Sequence, residues 1–475
     1  MNHWMRRAGI PVVAAFAVVL SGCDLEVLNP GAIQDGDLNT PELMPVLVAG
    51  VSAEYNDVQD NYAFDIARLT DEAAGTGSYG STQDFRTGFY TDQDAEGDWE
   101  QMHEAAWAAD QAWTRLQEVL EGAEQTSVNG ARLFVYRGHA FMRLGEAYCN
   151  VAFDVGPSEP RSAAFARAEG AFNQALTIAT AANSTQWRLA ALMGLAQAEF
   201  GKAVEGTGSW AAASGAAQTA LSAVTAAGED LGYADNAIYA QGANSNIIWQ
   251  ETWGRAEIGV YRTLAQAMFE GPDADPRTSF TKCGEWTDLA SAYPDNIPGK
   301  VTKTGNCDGD GSGAHQGADG DHAHYRQNRY DDRGSDIPRA SALEMLMIMA
   351  EAAVQTSDYA TFIGHINTAR AHWGLGALAA PTEMGSLLQW PYTVEDVTDA
   401  NSGTALAILD RERYANLWMQ GKRLYDMERW NHPFLTSSGW ITGSTSVADR
   451  VSCFPMPRNE CQLNPNMQGD PLCAG

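Results

Sequence analysis

The chain has 475 residues, with 60 acidic against 30 basic side chains and a formal charge of −30. That balance argues against a nucleic-acid partner, which needs basic stripes to displace counterions, and against adsorption on anionic lipid. It fits a solvated exterior protein that handles neutral or cationic cargo.

The chain opens with Arg6 and Arg7, then an apolar run from Ala8 to Leu20. The run is too short for a membrane span but suits a secretory leader over residues 1–22. It ends in Leu20-Ser21-Gly22-Cys23, which resembles a bacterial lipobox. Lipid on Cys23 would hold the protein on a membrane without a spanning helix. Residues 23–40 then read as a polar, extended leader, and residues 41–475 as one domain. Besides Cys23 there are six cysteines. Export permits disulfides, and the expected pairs are Cys283 with Cys307 and one among Cys453, Cys461 and Cys473. Cys149 lies in a helical pattern and reads as a buried thiol. No CxxC spacing occurs, which argues against a zinc site of that type.

Helical apolar stripes follow from Trp99 to Leu120, Ala131 to Val151, Phe165 to Ala179 and Thr185 to Lys202. Ser209 to Ala226 is alanine-rich, which reads either as a tightly packed helix or as a marginal one. Phe141-Met142-Arg143-Leu144-Gly145-Glu146-Ala147-Tyr148 matches the tetratricopeptide pattern W-x₂-L-G-x₂-Y with Phe for Trp. The hairpin candidates do not recur at a fixed period, so the expected fold is mainly α: a degenerate scaffold of helical hairpins over 41–231 and 336–435. Residues 232–335 differ in character, with several prolines, many glycines and β-rich runs such as Asn246-Ile247-Ile248-Trp249-Gln250. A loop-rich, partly β insert on a helical scaffold is where a binding side is expected. Helices resume at Pro338 to Thr356, Tyr359 to Trp373 and Gly403 to Gly421, and 436–475 reads as a loop-like tail.

Three segments together name a family. Asp336 to Ala352 holds an R-x-x-x-x-E-x-L-x-x-x-A-E-A helix from Arg339, followed by Ile366-Asn367-Thr368-Ala369-Arg370. Ile408 to Trp430 keeps Glu412, Arg413, Leu417, Gly421, Arg423, Asp426, Arg429 and Trp430. The third is Pro455-Met456-Pro457-Arg458-Asn459-Glu460 with Asn464-Pro465. In this order they resemble the SusD/RagB family of glycan-binding outer-membrane lipoproteins. Asn416 and Gln420 stand where that family has glutamates, and one more residue separates Leu409 from Glu412. The resemblance implies capture without catalysis, a place on the outer membrane facing the exterior, and a SusC-like TonB-dependent transporter as partner. It transfers no ligand-binding residue. The charges in the second segment read as core ion pairs, with Arg423, Asp426 and Arg429 spaced so that guanidinium and carboxylate meet.

An oligosaccharide offers apolar CH faces and a hydroxyl rim, which flat aromatic rings and polar side chains match. The candidates are Tyr79, Phe85 and Arg86 ahead of Trp99, then Trp253, Trp286 and Tyr325 in the insert. Asp308, Asp310, Ser312 and Asp319 have the spacing of a calcium loop with Gly313 at its turn, although Asp stands where Glu is usual. Two rival readings stand beside this one: a secreted glycan hydrolase, for which no G-x-S-x-G or H-E-x-x-H occurs, and a tetratricopeptide-type scaffold that binds a protein segment, which a soluble periplasmic partner would favour.

Overall fold

The computed structural model describes residues 35–473 apart from 243, 287–300, 304–306, 308–314, 321, 396, 399–402 and 437–449. The lipobox with Cys23 lies outside the described residues. Among the described residues no helix is long and apolar enough to cross a membrane.

The scaffold is a succession of packed helices: α1 (Met44–Leu69), α2 (Gly80–Arg86), α3 (Ala95–Leu120), α4 (Val128–Ala147), α5 (Ser162–Ala181), α6 (Thr185–Val204) and α7 (Trp210–Ala226). From α3 onward each long helix packs on the next, and α1 lies across α3 and α4. After the insert, which holds α8 (Leu264–Glu270), come α9 (Ala342–Gln355), α10 (Tyr359–His372), α11 (Ala405–Leu417), α12 (Arg423–Trp430) and α13 (Arg458–Leu463). Helix α9 packs on α7, α10 and α11, so the second half extends the same layer.

The close packing has a specific cause. Phe165 and Phe172 of α5 stand against Gly145 and Gly138 of α4, and against Gly201 and Gly194 of α6. A Cβ at any of these glycines would fall within 2.7 Å of a ring atom. Gly145 is the glycine of the tetratricopeptide-like segment, whose function here is to admit a phenylalanine ring.

The insert is closed at its neck by strand Ala234–Ala237, paired antiparallel with Ile337–Ser341. The sequence reading starts a helix at Pro338; the structure places a strand there and starts α9 at Ala342, where the Ser341 hydroxyl accepts the Glu344 N–H at 3.1 Å. The run 246–250 is likewise not a strand. Asn246 caps a helical turn by accepting the Trp249 N–H at 3.0 Å, and the turn widens into a π-helical one over Gln250–Gly254. The insert has its own apolar core around Trp249, Phe280, Tyr325 and Trp418. Phe64 of α1 and Tyr414 of α11 enter that core, while Tyr62 and Ile408 of the same helices enter the main one. Scaffold and insert are therefore welded along α1 and α11.

Three disulfides join Cys283 to Cys307, Cys461 to Cys473 and Cys149 to Cys453. The last corrects the expectation of a buried thiol. Helix α4 ends before Cys149, whose N–H donates to the Phe454 carbonyl at 3.0 Å, so the tail lies alongside and the two sulfurs meet.

The motif charges are buried and paired. Glu412 accepts from Arg277 and Arg370 at 2.6 and 2.7 Å, and from Arg411 at 3.1 Å. Asp426 takes Arg413 and Arg429. Arg423 does not join them as the spacing had led us to expect: it reaches Asp71 at 2.8 Å and Asp410 at 2.6 Å. Burial opposes the charge on Asp410, but Arg423 and His432 hold its carboxyl below the usual range.

Candidate functional site

The strand pair Ala74–Gly75 with Ile258–Gly259 brings the loop after α1 against the turn that follows Trp249. Thr76 donates its N–H to the Glu257 carbonyl at 2.9 Å, and Asp319 returns an N–H to the Thr76 carbonyl at 3.0 Å. Three distant segments thus meet beside α2. Gly317 fits here because it has no side chain: a Cβ would fall 2.5 Å from the Thr76 carbonyl oxygen.

Tyr79 stands at the head of α2 with 42% of its surface exposed. Its hydroxyl accepts from Arg255 at 2.8 Å, and Arg255 also donates to Glu251 at 2.9 Å. Glu257 fixes the loop from beneath, accepting from the Ser78 hydroxyl at 3.1 Å and the Tyr79 N–H at 3.4 Å. Burial raises the Glu251 carboxyl, and Arg255 works against that rise. On the other side of the π-helical turn, Trp253 is half-buried. Its indole N–H donates to the Gln327 carbonyl at 2.9 Å, and the Arg326 guanidinium lies 3.5 Å from its ring centre. The outcome is a fixed, exposed phenol ring beside a guanidinium that is half in solvent, with carboxylates behind both. Such a surface offers an apolar plate and a donor rim, which is what a sugar face requires. Glu257 is buried with both carboxylate oxygens engaged by the 78–79 segment, while Glu251 is buried with one oxygen taken by Arg255 and the other without a hydrogen-bond partner among the described residues.

The other sequence candidates separate. Phe85 is buried against Tyr90, with ring centres 4.9 Å apart, and under Arg68. Trp99 is 4% exposed and packs edge-on against Tyr148. Tyr325 is buried and stacked on Phe280 at 5.4 Å. These three are core residues, which corrects their reading as ligand platforms: Phe85 and Trp99 pack into the main apolar core and Tyr325 into that of the insert. Arg86 reaches the Gly75 carbonyl and Asp319, both at 3.3 Å, and braces the site from behind. Trp286 belongs to the short strand Gly284–Trp286; its side chain is outside the described residues. So are Asp308, Asp310 and Ser312. Asp319, the fourth residue of the calcium-type loop, faces Arg86 and His322, the latter at 2.6 Å. Among the described residues no cluster of three or more metal-ligating side chains occurs.

Sequence reasoning missed Glu251, Arg255 and Glu257. The first two stand four residues apart, a spacing that signals an ion pair on a helical turn. Glu257 partners Ser78, and nothing local in the sequence points to that.

Residues 272–471 match the family model described as SusD family. The fold resembles solved structures along nearly its whole length. A SusD-like carbohydrate binding protein from Bacteroides fragilis superposes with TM-score 0.61 at 15% identity, covering 90% of this chain and 99% of that one. A SusD-like protein from the same species gives 0.58 at 12%, covering 90% and 96%. A SusD/RagB family protein from Bacteroides thetaiotaomicron gives 0.58 at 11%, covering 89% and 95%. A search of curated proteins finds no match.

Proposed function

We propose that the chain, whose residues 272–471 match the SusD family model, acts as a member of that family: it captures an oligosaccharide outside the cell and hands it, unaltered, to a SusC-like TonB-dependent transporter. In this reading lipid on Cys23 holds the protein on the outer membrane. The observation that carries it is Tyr79, an exposed ring pinned by Arg255 on the insert side and held from beneath by Glu257, which accepts from the Ser78 hydroxyl and the Tyr79 N–H. Support also comes from the name of the similar Bacteroides fragilis protein, which is described as carbohydrate binding. Capture of this kind needs no resident metal.

The test is calorimetric titration with a panel of neutral oligosaccharides, followed by chromatography of each mixture. Saturable binding by at least one oligosaccharide, with no new product, is expected. A shortened or modified glycan in the mixture would establish the hydrolase reading instead. For the partner, the detergent-extracted protein is expected to co-purify with a large outer-membrane barrel; isolation with a periplasmic protein alone would favour the scaffold reading.

A further inference from the structure

A second surface lies away from this site, along the outer face of α3. Trp107 is on that face and is 62% exposed, off the apolar stripe that seats α3 in the core. One groove of about 710 Å³ runs between α1 and α3, with Gly50, Val51, Ala108 and Ala112 among its lining and Glu54, Glu104 and Glu118 along its rim. A second of about 540 Å³ lies between α3, the 152–155 loop and α13. Glu104 lines both, so they form one trough. From Trp99 to Glu118 it follows α3 for roughly 30 Å at 1.5 Å per residue.

Three large apolar side chains project along it: Trp107, Val155 at 61% exposure and Leu463 at 80%. Val155 takes a left-handed backbone, φ 57°, as does Asp154 at 55°. A β-branched residue adopts that conformation only when its surroundings impose it. Here Asn466 donates to the Val155 carbonyl at 2.7 Å and Asn464 to the Gly156 carbonyl at 2.7 Å. The tail therefore holds an apolar side chain out at the trough edge. A further signal is independent of these. His103 lines the trough, and its Nε2 is buried with no hydrogen-bond partner among the described residues. A buried polar atom of this kind is costly unless something supplies the missing bond.

We propose that this trough docks a basic, amphipathic segment of another protein. Its apolar residues would sit over Trp107, Val155 and Leu463, and its lysines or arginines would face Glu54, Glu100, Glu104 and Glu118. The spread of the anchors along α3 exceeds what one or two sugar rings cover and suits a polypeptide laid into a helix groove. The acidic rim selects a cationic partner. It also selects against a second copy of this chain, whose own charge is −30. The inference does not depend on the glycan reading, because it shares no residue with the Tyr79 site.

The test uses a fluorescein-labelled helical peptide of leucine and lysine, and its leucine–glutamate counterpart, titrated into the purified protein at physiological salt. The leucine–lysine peptide is expected to bind saturably and the counterpart not to bind. Trp107→Ala and Glu104→Lys should each weaken binding about tenfold or more. Glu229→Lys, exposed at the far end of α7, should leave it within about twofold and so controls for general charge attraction. Both trough positions are exposed, and an unchanged thermal transition would confirm that the variants fold. Any of four results overturns the proposal: no saturable binding, equal loss with Glu229→Lys, full affinity in Trp107→Ala, or displacement of the peptide by a neutral oligosaccharide. Dimerisation of the protein through Trp107, seen by sedimentation, would overturn it too.

Discussion

The ring of Phe172 lies directly on the backbone of Gly194, so close that a Cβ built there would fall 2.3 Å from its Cε1. Two helices are drawn together at this point, and the same ring also fills the space over Gly138. In Gly194→Ala the gain in helix propensity, about 1 kcal/mol, is opposed by an overlap that neither neighbour can relieve. The expected net loss is about 1–3 kcal/mol, read as a lower denaturation midpoint. Gly170 on α5 is the control, because a Cβ there meets nothing within 4 Å. Gly170→Ala is expected to stabilise by about 0.5–1 kcal/mol. Equal effects at the two sites would show that packing at Gly194 is loose.

The sequence made this scaffold readable wherever a helix has one apolar face. Helices α3 to α7 follow their stripes to within a few residues, and Gly145 was visible through the tetratricopeptide pattern. Helix α1 was not visible. It is buried on several sides, with Asn56, Gln59 and Asp60 buried among its apolar residues, so it has no clean periodicity. Aromatic composition also could not sort Tyr79 from Phe85, since exposure depends on which side of α2 faces the core. Trp107 did leave a trace: it is the bulky residue on the polar face of an otherwise regular stripe.

Glu412 makes stability depend on acid. Burial alone would raise its carboxyl, but Arg277, Arg411 and Arg370 outweigh burial and lower it from 4.5 to about 2. A folded-state value below the unfolded one adds stability that is present above the unfolded value. It is lost as pH falls from there through the folded value. Glu412→Gln removes the carboxylate that Arg277, Arg370 and Arg411 share, while Arg277 keeps Asp275, and should cost about 3 kcal/mol near neutrality. Melting curves from about pH 6 down to about pH 2 should show the gap between the two proteins closing as the carboxyl protonates. A gap that stays constant over that range would mean that Glu412 acts by shape and not by charge.

Val155 offers the opposite case, a residue whose replacement should help. Its left-handed backbone costs an L-residue about 1–2 kcal/mol, and its exposed side chain returns little by burial. Glycine accepts the same conformation freely. Val155→Gly is therefore expected to raise stability by up to about 1 kcal/mol, after the greater freedom glycine gives the unfolded chain is counted. Chemical denaturation of the two proteins measures this. A loss of stability would show that the valine side chain makes contacts that outweigh its backbone cost.

At the Tyr79 site the ring and the hydroxyl can be separated. Tyr79→Phe keeps the apolar plate but removes the acceptor for Arg255, whose guanidinium still has Glu251 at 2.9 Å. Tyr79→Ala removes the plate itself. If a sugar stacks on the ring, the alanine variant should lose about tenfold or more in affinity, while phenylalanine stays within about threefold. Arg255→Ala tests the rim: it removes a charged donor and should cost a ligand hydroxyl about 1.5–3 kcal/mol of binding. The readout is titration with whichever oligosaccharide the panel identifies, alongside thermal melts to confirm folding. Equal weakening by phenylalanine and alanine would place the interaction on the hydroxyl. No weakening by either would move the glycan elsewhere on the insert, with Trp253 and its covering Arg326 as the next pair to change.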